Sequence, residues 1–142
     1  MQDSAAAITY LFRNADKLGV GVQDYSLWGS SAGARMVAAI GSHGTAAFGG
    51  GDLPKPAAVV MAYTAHSDFA LREPPTFVVV GENDGIAPPA VVEWRVDALR
   101  KIGTEVEYRK YSNVGHGFGT GRGTSAEGWI ADAVTFWKRF VR

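Results

Sequence analysis

One serine, one aspartate and one histidine in this chain sit where nucleophilic chemistry would need them. Ser31 is the centre of Gly29-Ser30-Ser31-Ala32-Gly33, a Gly-x-Ser-x-Gly turn. In such a turn the central residue takes an unfavourable backbone conformation. Its neighbours must therefore be small, and its hydroxyl is lifted clear of the sheet. The turn also leaves the amide of Ala32 at a helix N-terminus, where it can stabilise an oxyanion. A serine nucleophile needs a base, and the base needs an orienting acid. Asp84, in "VVVGENDGIAP", and His116, in "NVGHGFG", follow Ser31 in the order serine, acid, histidine that open α/β sheets use.

Each residue taken alone has a plainer explanation. The glycine turn would let a helix pack close to a strand, Asn83-Asp84-Gly85 is strong turn chemistry, and a lone histidine is often a satisfied loop residue. The joint arrangement favours a site. Competing residues fit it less well. Glu82 lies closer to its strand than Asp84, and Asp68 follows a different strand. His43 and His66 both precede the acid, and Ser30 is a hydroxyl beside the motif centre. Trp28, Ser30, His66 and Phe118 are candidate lining residues, with Phe48 and Phe69 as further aromatics, although core packing competes for each. The run from Gly115 to Gly123 never satisfies Gly-x-Gly-x-x-Gly, and no Gly-Lys-Ser/Thr occurs, which argues against nucleotide binding. Three scattered histidines without paired spacing give no metal site, and no cofactor is expected.

The elements that must position these residues are legible in the pattern. Asp3 or Ser4 can cap a helix running to about Leu18, with Ile8, Leu11, Ala15 and Leu18 as its stripe. Tyr25 to Trp28 reads as a short strand, and Ala32 to Ile40 as a helix with Met36, Val37 and Ile40 on one side. Residues 41–56 read as loop, Gly49-Gly50-Gly51 as its flexible part. Ala57–Tyr63 and Thr76–Val80 are continuous apolar runs, as expected of strands buried on both faces. Pro88 opens a helix to about Ile102 with Val92, Val96, Leu99 and Ile102 facing inward. Glu105 to Tyr111 alternates and suits a sheet edge. Thr124 and Glu127 have capping-box spacing before a last helix reaching Val141. Its stripe is Ile130, Val134, Trp137 and Val141, widened by Trp129, Phe136 and Phe140. Asp84 and His116 then each fall just past a strand end. The fold class is α/β, a mostly parallel sheet of about four strands flanked by helices, in one domain over residues 1–142.

Composition narrows the partners. Lys plus Arg and Asp plus Glu are 14 each, so net charge is zero. This argues against nucleic acid, which needs a basic face, and against an anionic membrane surface. It also leaves little repulsion between copies. The absence of cysteine excludes disulfides and thiolate chemistry. No leader or membrane-length apolar run is visible, so a cytoplasmic location is the default expectation.

Three stretches, "WGSSAGARM", "VVVGENDGIAPP" and "VGHGFGTGRGTSAEGWI", together resemble the α/β-hydrolase superfamily. They are most similar to its carboxylesterase and acetyl-esterase-like members, which include feruloyl and xylan acetyl esterases. The resemblance implies Ser31 as nucleophile, Asp84 as acid, His116 as base and Ala32 as one oxyanion donor. It implies a serine ester hydrolase acting on short-acyl esters. A serine peptidase of the same superfamily and a non-catalytic binding module are the alternatives. The superfamily fold has strands before the nucleophile strand and a His-Gly-Gly loop that donates a second oxyanion amide. By the resemblance, this chain corresponds to the later half of that fold. The Tyr25–Trp28 strand is then an open edge, and self-association through it is expected.

Overall fold

The computed structural model describes all 142 residues. Two short helices, α1 (Gln2–Arg13) and α2 (Ala15–Leu18), precede strand β1 (Ser26–Ser30) and helix α3 (Ala32–His43). A 3₁₀ turn at Ala46–Phe48 leads to β2 (Ala58–Ala62) and β3 (Thr76–Gly81). Helix α4 (Pro89–Lys101), β4 (Val106–Tyr111) and α5 (Trp129–Lys138) complete the chain. The strands form one parallel sheet in the order β1-β2-β3-β4. No helix is long and apolar enough to cross a membrane.

Strands β2 and β3 are wholly buried because both faces are covered. On one face Val59, Met61, Val78 and Val80 meet Ala34, Ala38 and Ile40 of α3 and Val92 and Val96 of α4. On the other, Ala58, Val60, Phe77 and Val79 meet Trp129, Ala133 and Phe136 of α5. The two outer strands differ. β4 carries Glu107, Arg109 and Lys110, charges that discourage further pairing. β1 carries none. Tyr25 and Ser31 bond to the β2 side through the carbonyl of Tyr25 and the amide of Ser31. By strand alternation, the backbone groups of Ser26, Trp28 and Ser30 face the open edge.

Several expectations need correction. The first helix begins at Gln2 with no side-chain cap from Asp3 or Ser4, and Asn14 splits it from α2. Its buried residues are Ala5 and Thr9, while Leu11 and Leu18 are about half exposed. The reason is packing at close range. Gly51 donates its N–H to Thr9 Oγ1 at 2.8 Å, and a Cβ on Gly50 would lie 2.9 Å from the Ala5 carbonyl oxygen. The triple glycine is thus docked against α1. Helix α3 runs on to His43, into the segment read as loop. In α5 the inward residues are Trp129, Ala133 and Phe136, whereas Ile130 and Val141 are exposed and the helix ends at Lys138. Thr124 and Glu127 form no capping box. Gly128 is the N-cap, Thr124 Oγ1 donates to the Gly121 carbonyl, and Glu127 accepts from the Gly123 amide in a separate turn.

The crossover between β2 and β3, residues 63–75, contains no helix, so its polar groups need other partners. Glu73 is their hub. Its carboxylate accepts from Ser42 Oγ and the Ala70 amide, each at 2.6 Å, and pairs with Arg95 Nη2 at 3.3 Å. Arg95 also donates through Nε to the Asp68 carbonyl at 2.8 Å. Lys55 Nζ holds the carbonyls of Ser42 and Arg72.

His66 lies within this crossover, buried, facing a cavity of about 10 Å³ among Met61, Thr64, Arg95 and Val96. Its Nε2 has no hydrogen-bond partner. Burial first, then the charge of Arg95, pushes its pKa down from 6.5 to about 4, against the opposing pull of Asp68, with Arg35 and His43 lowering it further. Between those values the unfolded chain binds the proton and the folded chain does not. The contribution of neutral His66 is therefore intact above pH 6.5 and lost as pH falls toward 4. It is expected to reach at most about 3 kcal/mol. Urea unfolding across this window should show a shallower pH slope for His66→Gln than for wild type. Identical slopes would overturn the assignment.

Candidate active site

Ser31 sits between β1 and α3 at φ 49, ψ −119, a conformation that side chains other than glycine rarely adopt. Two constraints hold it there. The Ser31 amide donates to the Ala62 carbonyl of β2 at 2.9 Å. Gly29 lets the turn close, since a Cβ there would lie 2.4 Å from the backbone carbon and oxygen of Gly33. Gly33 is different: a Cβ at that position meets nothing within 4 Å. The requirement for small flanking residues therefore applies to Gly29 and not to Gly33. Gly29→Ala is expected to destabilise the protein by about 3 kcal/mol through overpacking. Gly33→Ala, within helix α3, should stabilise it by about 0.5–1 kcal/mol. Urea denaturation of both variants measures the contrast, and equal losses would contradict it.

The acid and base loops are held together by backbone at β3 and β4. Glu82 donates its amide to the Tyr111 carbonyl, and Asn83 to that of Val114, at 2.8 and 2.9 Å. At Gly81 a Cβ would sit 2.2 Å from the Val114 carbonyl oxygen, so only glycine permits this approach. An isolated glycine closing an apolar run was the available sequence signal for it. Asp84 is 3% exposed, and its Oδ1 accepts from the amides of Ile86 and Ala87 at 2.9 and 2.7 Å. These bonds fix the carboxylate before it meets histidine.

His116 joins the two halves. Its Nδ1 lies 2.9 Å from Asp84 Oδ2, and its Nε2 lies 3.0 Å from Ser31 Oγ. A carboxylate accepts only, so Nδ1 carries the proton and Nε2 presents a lone pair to the serine hydroxyl. That is the arrangement required for general-base activation of a serine. The Ser31 side chain makes no N-cap bond to α3, which leaves Oγ for His116. Ala32 is the first residue of α3, so its amide has no intrahelical partner.

The competing residues have other roles. Glu82 is exposed, and Asp68 pairs with His43 at 2.8 Å, a bond that holds its carboxyl below the usual range. Ser30 is exposed at the open edge. Trp28 donates to Ser26 Oγ and lies against Trp129 with ring centroids 6.5 Å apart. Phe118 packs on Tyr63, Tyr111 and Trp129. Phe48 lies against His43, and Phe69 against Trp94. Tyr63, which carries no sequence signal, is the residue whose ring touches His116, at 5.2 Å between centroids. No enclosed pocket surrounds Ser31 and His116. The largest cleft, about 600 Å³, lies at the opposite end of the sheet, beside Tyr25 and Ala57.

Residues 59–142 match the prolyl oligopeptidase family, a span that holds Asp84 and His116 and starts after Ser31. No curated protein matches significantly. Among solved structures, an α/β-hydrolase enzyme from a Medee basin deep-sea metagenome superposes with TM-score 0.79 at 21% identity, covering 97% of this chain and 63% of that one. An acetyl ester-xyloside bifunctional hydrolase from Caldicellulosiruptor lactoaceticus gives 0.80 at 17% identity, with 96% and 64% covered. Carboxyl esterase 2 from Tuber melanosporum gives 0.79 at 17%, with 97% and 61% covered. The fold is that of the α/β-hydrolases, and the chain spans a little under two thirds of these structures.

Proposed function

The chain belongs to the prolyl oligopeptidase family, and from the geometry around Ser31 we propose that it is a serine hydrolase cleaving short-acyl esters through an acyl-enzyme on Ser31. The observation that carries the reading is the unbroken series Ser31 Oγ–His116 Nε2–His116 Nδ1–Asp84, at 3.0 and 2.9 Å, built on a strained turn. In the proposed reaction His116 Nε2 takes the Ser31 proton as Oγ adds to the ester carbonyl. The Ala32 amide donates to the oxyanion that forms. The intermediate collapses, the carbon–oxygen bond to the alcohol breaks, and His116 protonates the departing alcohol. Water then adds to the acyl-enzyme, giving a proton to His116. The acid leaves as Ser31 recovers that proton. Asp84 stays ionised throughout and holds the imidazole tautomer.

The family match favours a second reading, a serine peptidase. The Ala32 amide, unpaired at the start of α3, is one oxyanion donor beside Ser31. The likeness of the fold to solved esterases favours an ester as the substrate class. Fluorophosphonate labelling tests the chemistry directly. Stoichiometric modification of Ser31, located by mass spectrometry, is expected. No label, or label elsewhere, would overturn the reading in favour of a binding module. A panel of p-nitrophenyl esters and anilides then separates esterase from peptidase.

The proposal extends to assembly. β1 leaves the backbone groups of three residues free, and exposed Leu11 and Val20 stand among the apolar residues around an adjoining groove of about 260 Å³. Pairing of two copies through this edge would satisfy both. Sedimentation at micromolar concentration is expected to show a dimer or larger species, and a sharp monomer would count against it.

A further inference from the structure

We infer that Tyr63 is a positioning residue for His116, an inference that rests on the proposed hydrolytic role of Ser31. Tyr63 is the residue at which the chain leaves β2, and its φ is +43. A bulky side chain in left-handed backbone is a genuine outlier, and such strain persists only where the surroundings over-determine it. Here they do. The Tyr63 amide donates to the Val79 carbonyl at 2.8 Å, and the preceding carbonyl, Ala62, accepts from the Ser31 amide at 2.9 Å. One turn of backbone thus braces the serine and aims the Tyr63 ring.

That ring is 6% exposed and meets two others edge-on. The His116 imidazole lies 5.2 Å away at 75°, and Phe118 lies 4.8 Å away at 67°. The Tyr63 hydroxyl makes no hydrogen bond within the protein, so the ring, and not the oxygen, is what the fold uses. The imidazole must satisfy Ser31 and Asp84 at once, which allows it one orientation. Hydrogen bonds fix its two nitrogens, but rotation about the side-chain bonds can break both together. A close-packed ring against its side removes the neighbouring rotamers. Phe118, itself packed on Tyr111 and Trp129, holds the Tyr63 ring in turn. A displacement of about 1 Å in such a group costs on the order of 10²-fold in rate.

Tyr63→Phe and Tyr63→Ala test this against a merely structural role. Tyr63→Ala is expected to lower kcat for p-nitrophenyl acetate, and the rate of Ser31 labelling by fluorophosphonate, roughly 10–100-fold, with KM changed less than about threefold. Tyr63→Phe should restore both rates to within about twofold of wild type. Wild-type rates in Tyr63→Ala would overturn the inference, as would an equal loss in Tyr63→Phe, which would assign the effect to the hydroxyl. Should Tyr63→Ala fail to fold, Tyr63→Gly accepts the left-handed backbone and removes the same ring. Wild-type protein that does not label at Ser31 would refute the hydrolase reading instead. The imidazole NMR signals of His116 then decide the positioning role. They are expected to shift and broaden in Tyr63→Ala and to stay in place in Tyr63→Phe, and unchanged signals in Tyr63→Ala would overturn it.

Discussion

Ser31→Ala is expected to remove p-nitrophenyl acetate turnover by about 10⁴–10⁶-fold, down to the background of the folded protein, because no second hydroxyl is bonded to His116. Asp84→Asn should cost about 10⁴ in kcat with the fold intact. The reason is the tautomer. The Asp84 Oδ1 bonds to the amides of Ile86 and Ala87 at 2.9 and 2.7 Å fix that atom as the acceptor. The amide nitrogen of an asparagine would then take the Oδ2 position, the nearer contact to His116 Nδ1 at 2.9 Å against 3.1 Å for the already doubly bonded Oδ1. Facing that donor, His116 would present Nδ1 as acceptor and carry its proton on Nε2, where it can no longer accept from Ser31. Effects in the series should be strongly non-additive, so Ser31→Ala/Asp84→Asn should be no slower than Ser31→Ala alone. Turnover that survives Ser31→Ala would sink the mechanism. Additive losses would show that the three residues do not act as a unit.

Glu73→Ala is expected to destabilise the protein by about 3–5 kcal/mol, because it leaves the Arg95 guanidinium buried without its counter-charge. The side chains of both residues are almost inaccessible, at 3% and 2% exposure. The substitution also removes the acceptor for Ser42 Oγ and the Ala70 amide. For a domain of this size the loss corresponds to a fall of roughly 10–20 °C in Tm. Arg95→Leu in the same background should recover part of it, since the unpaired charge is then gone. Calorimetry of the two single variants and the double variant checks this. A fall in Tm below about 3 °C for Glu73→Ala would contradict it. The pair braces the crossover that begins at Tyr63, so its loss should also lower kcat below the melting range.

The strand and helix pattern was readable because each strand's burial is written in its own residues. Val59 to Met61 and Phe77 to Val80 are apolar on both faces, and Val106 to Tyr111 mixes charged with apolar residues and is only partly buried, though not in strict alternation. Helix faces were less readable where small residues do the packing. Leu11 and Leu18 outweigh Ala5 and Thr9 in any hydrophobic count, yet α1 approaches the Gly50–Gly51 segment so closely that only small side chains fit. In α5 it is Ala133 that went unread, packing on the sheet between Trp129 and Phe136 while Ile130 lies outside.

The three candidate residues and their order could be read from the chain, because a turn motif and two strand-end positions are local properties. Position alone also favoured Asp84 over Glu82 and Asp68. What holds them together arises only on folding. The 2.2 Å clearance at Gly81, the backbone donors to Asp84, and the different needs of Gly29 and Gly33 are contacts between segments far apart in sequence. Tyr63 is the clearest case. Its residue type argues for an ordinary strand position, and its left-handed backbone is imposed from outside, by β3 on one side and by the Ser31 turn on the other. Local preference cannot encode a conformation that exists only because neighbouring strands enforce it.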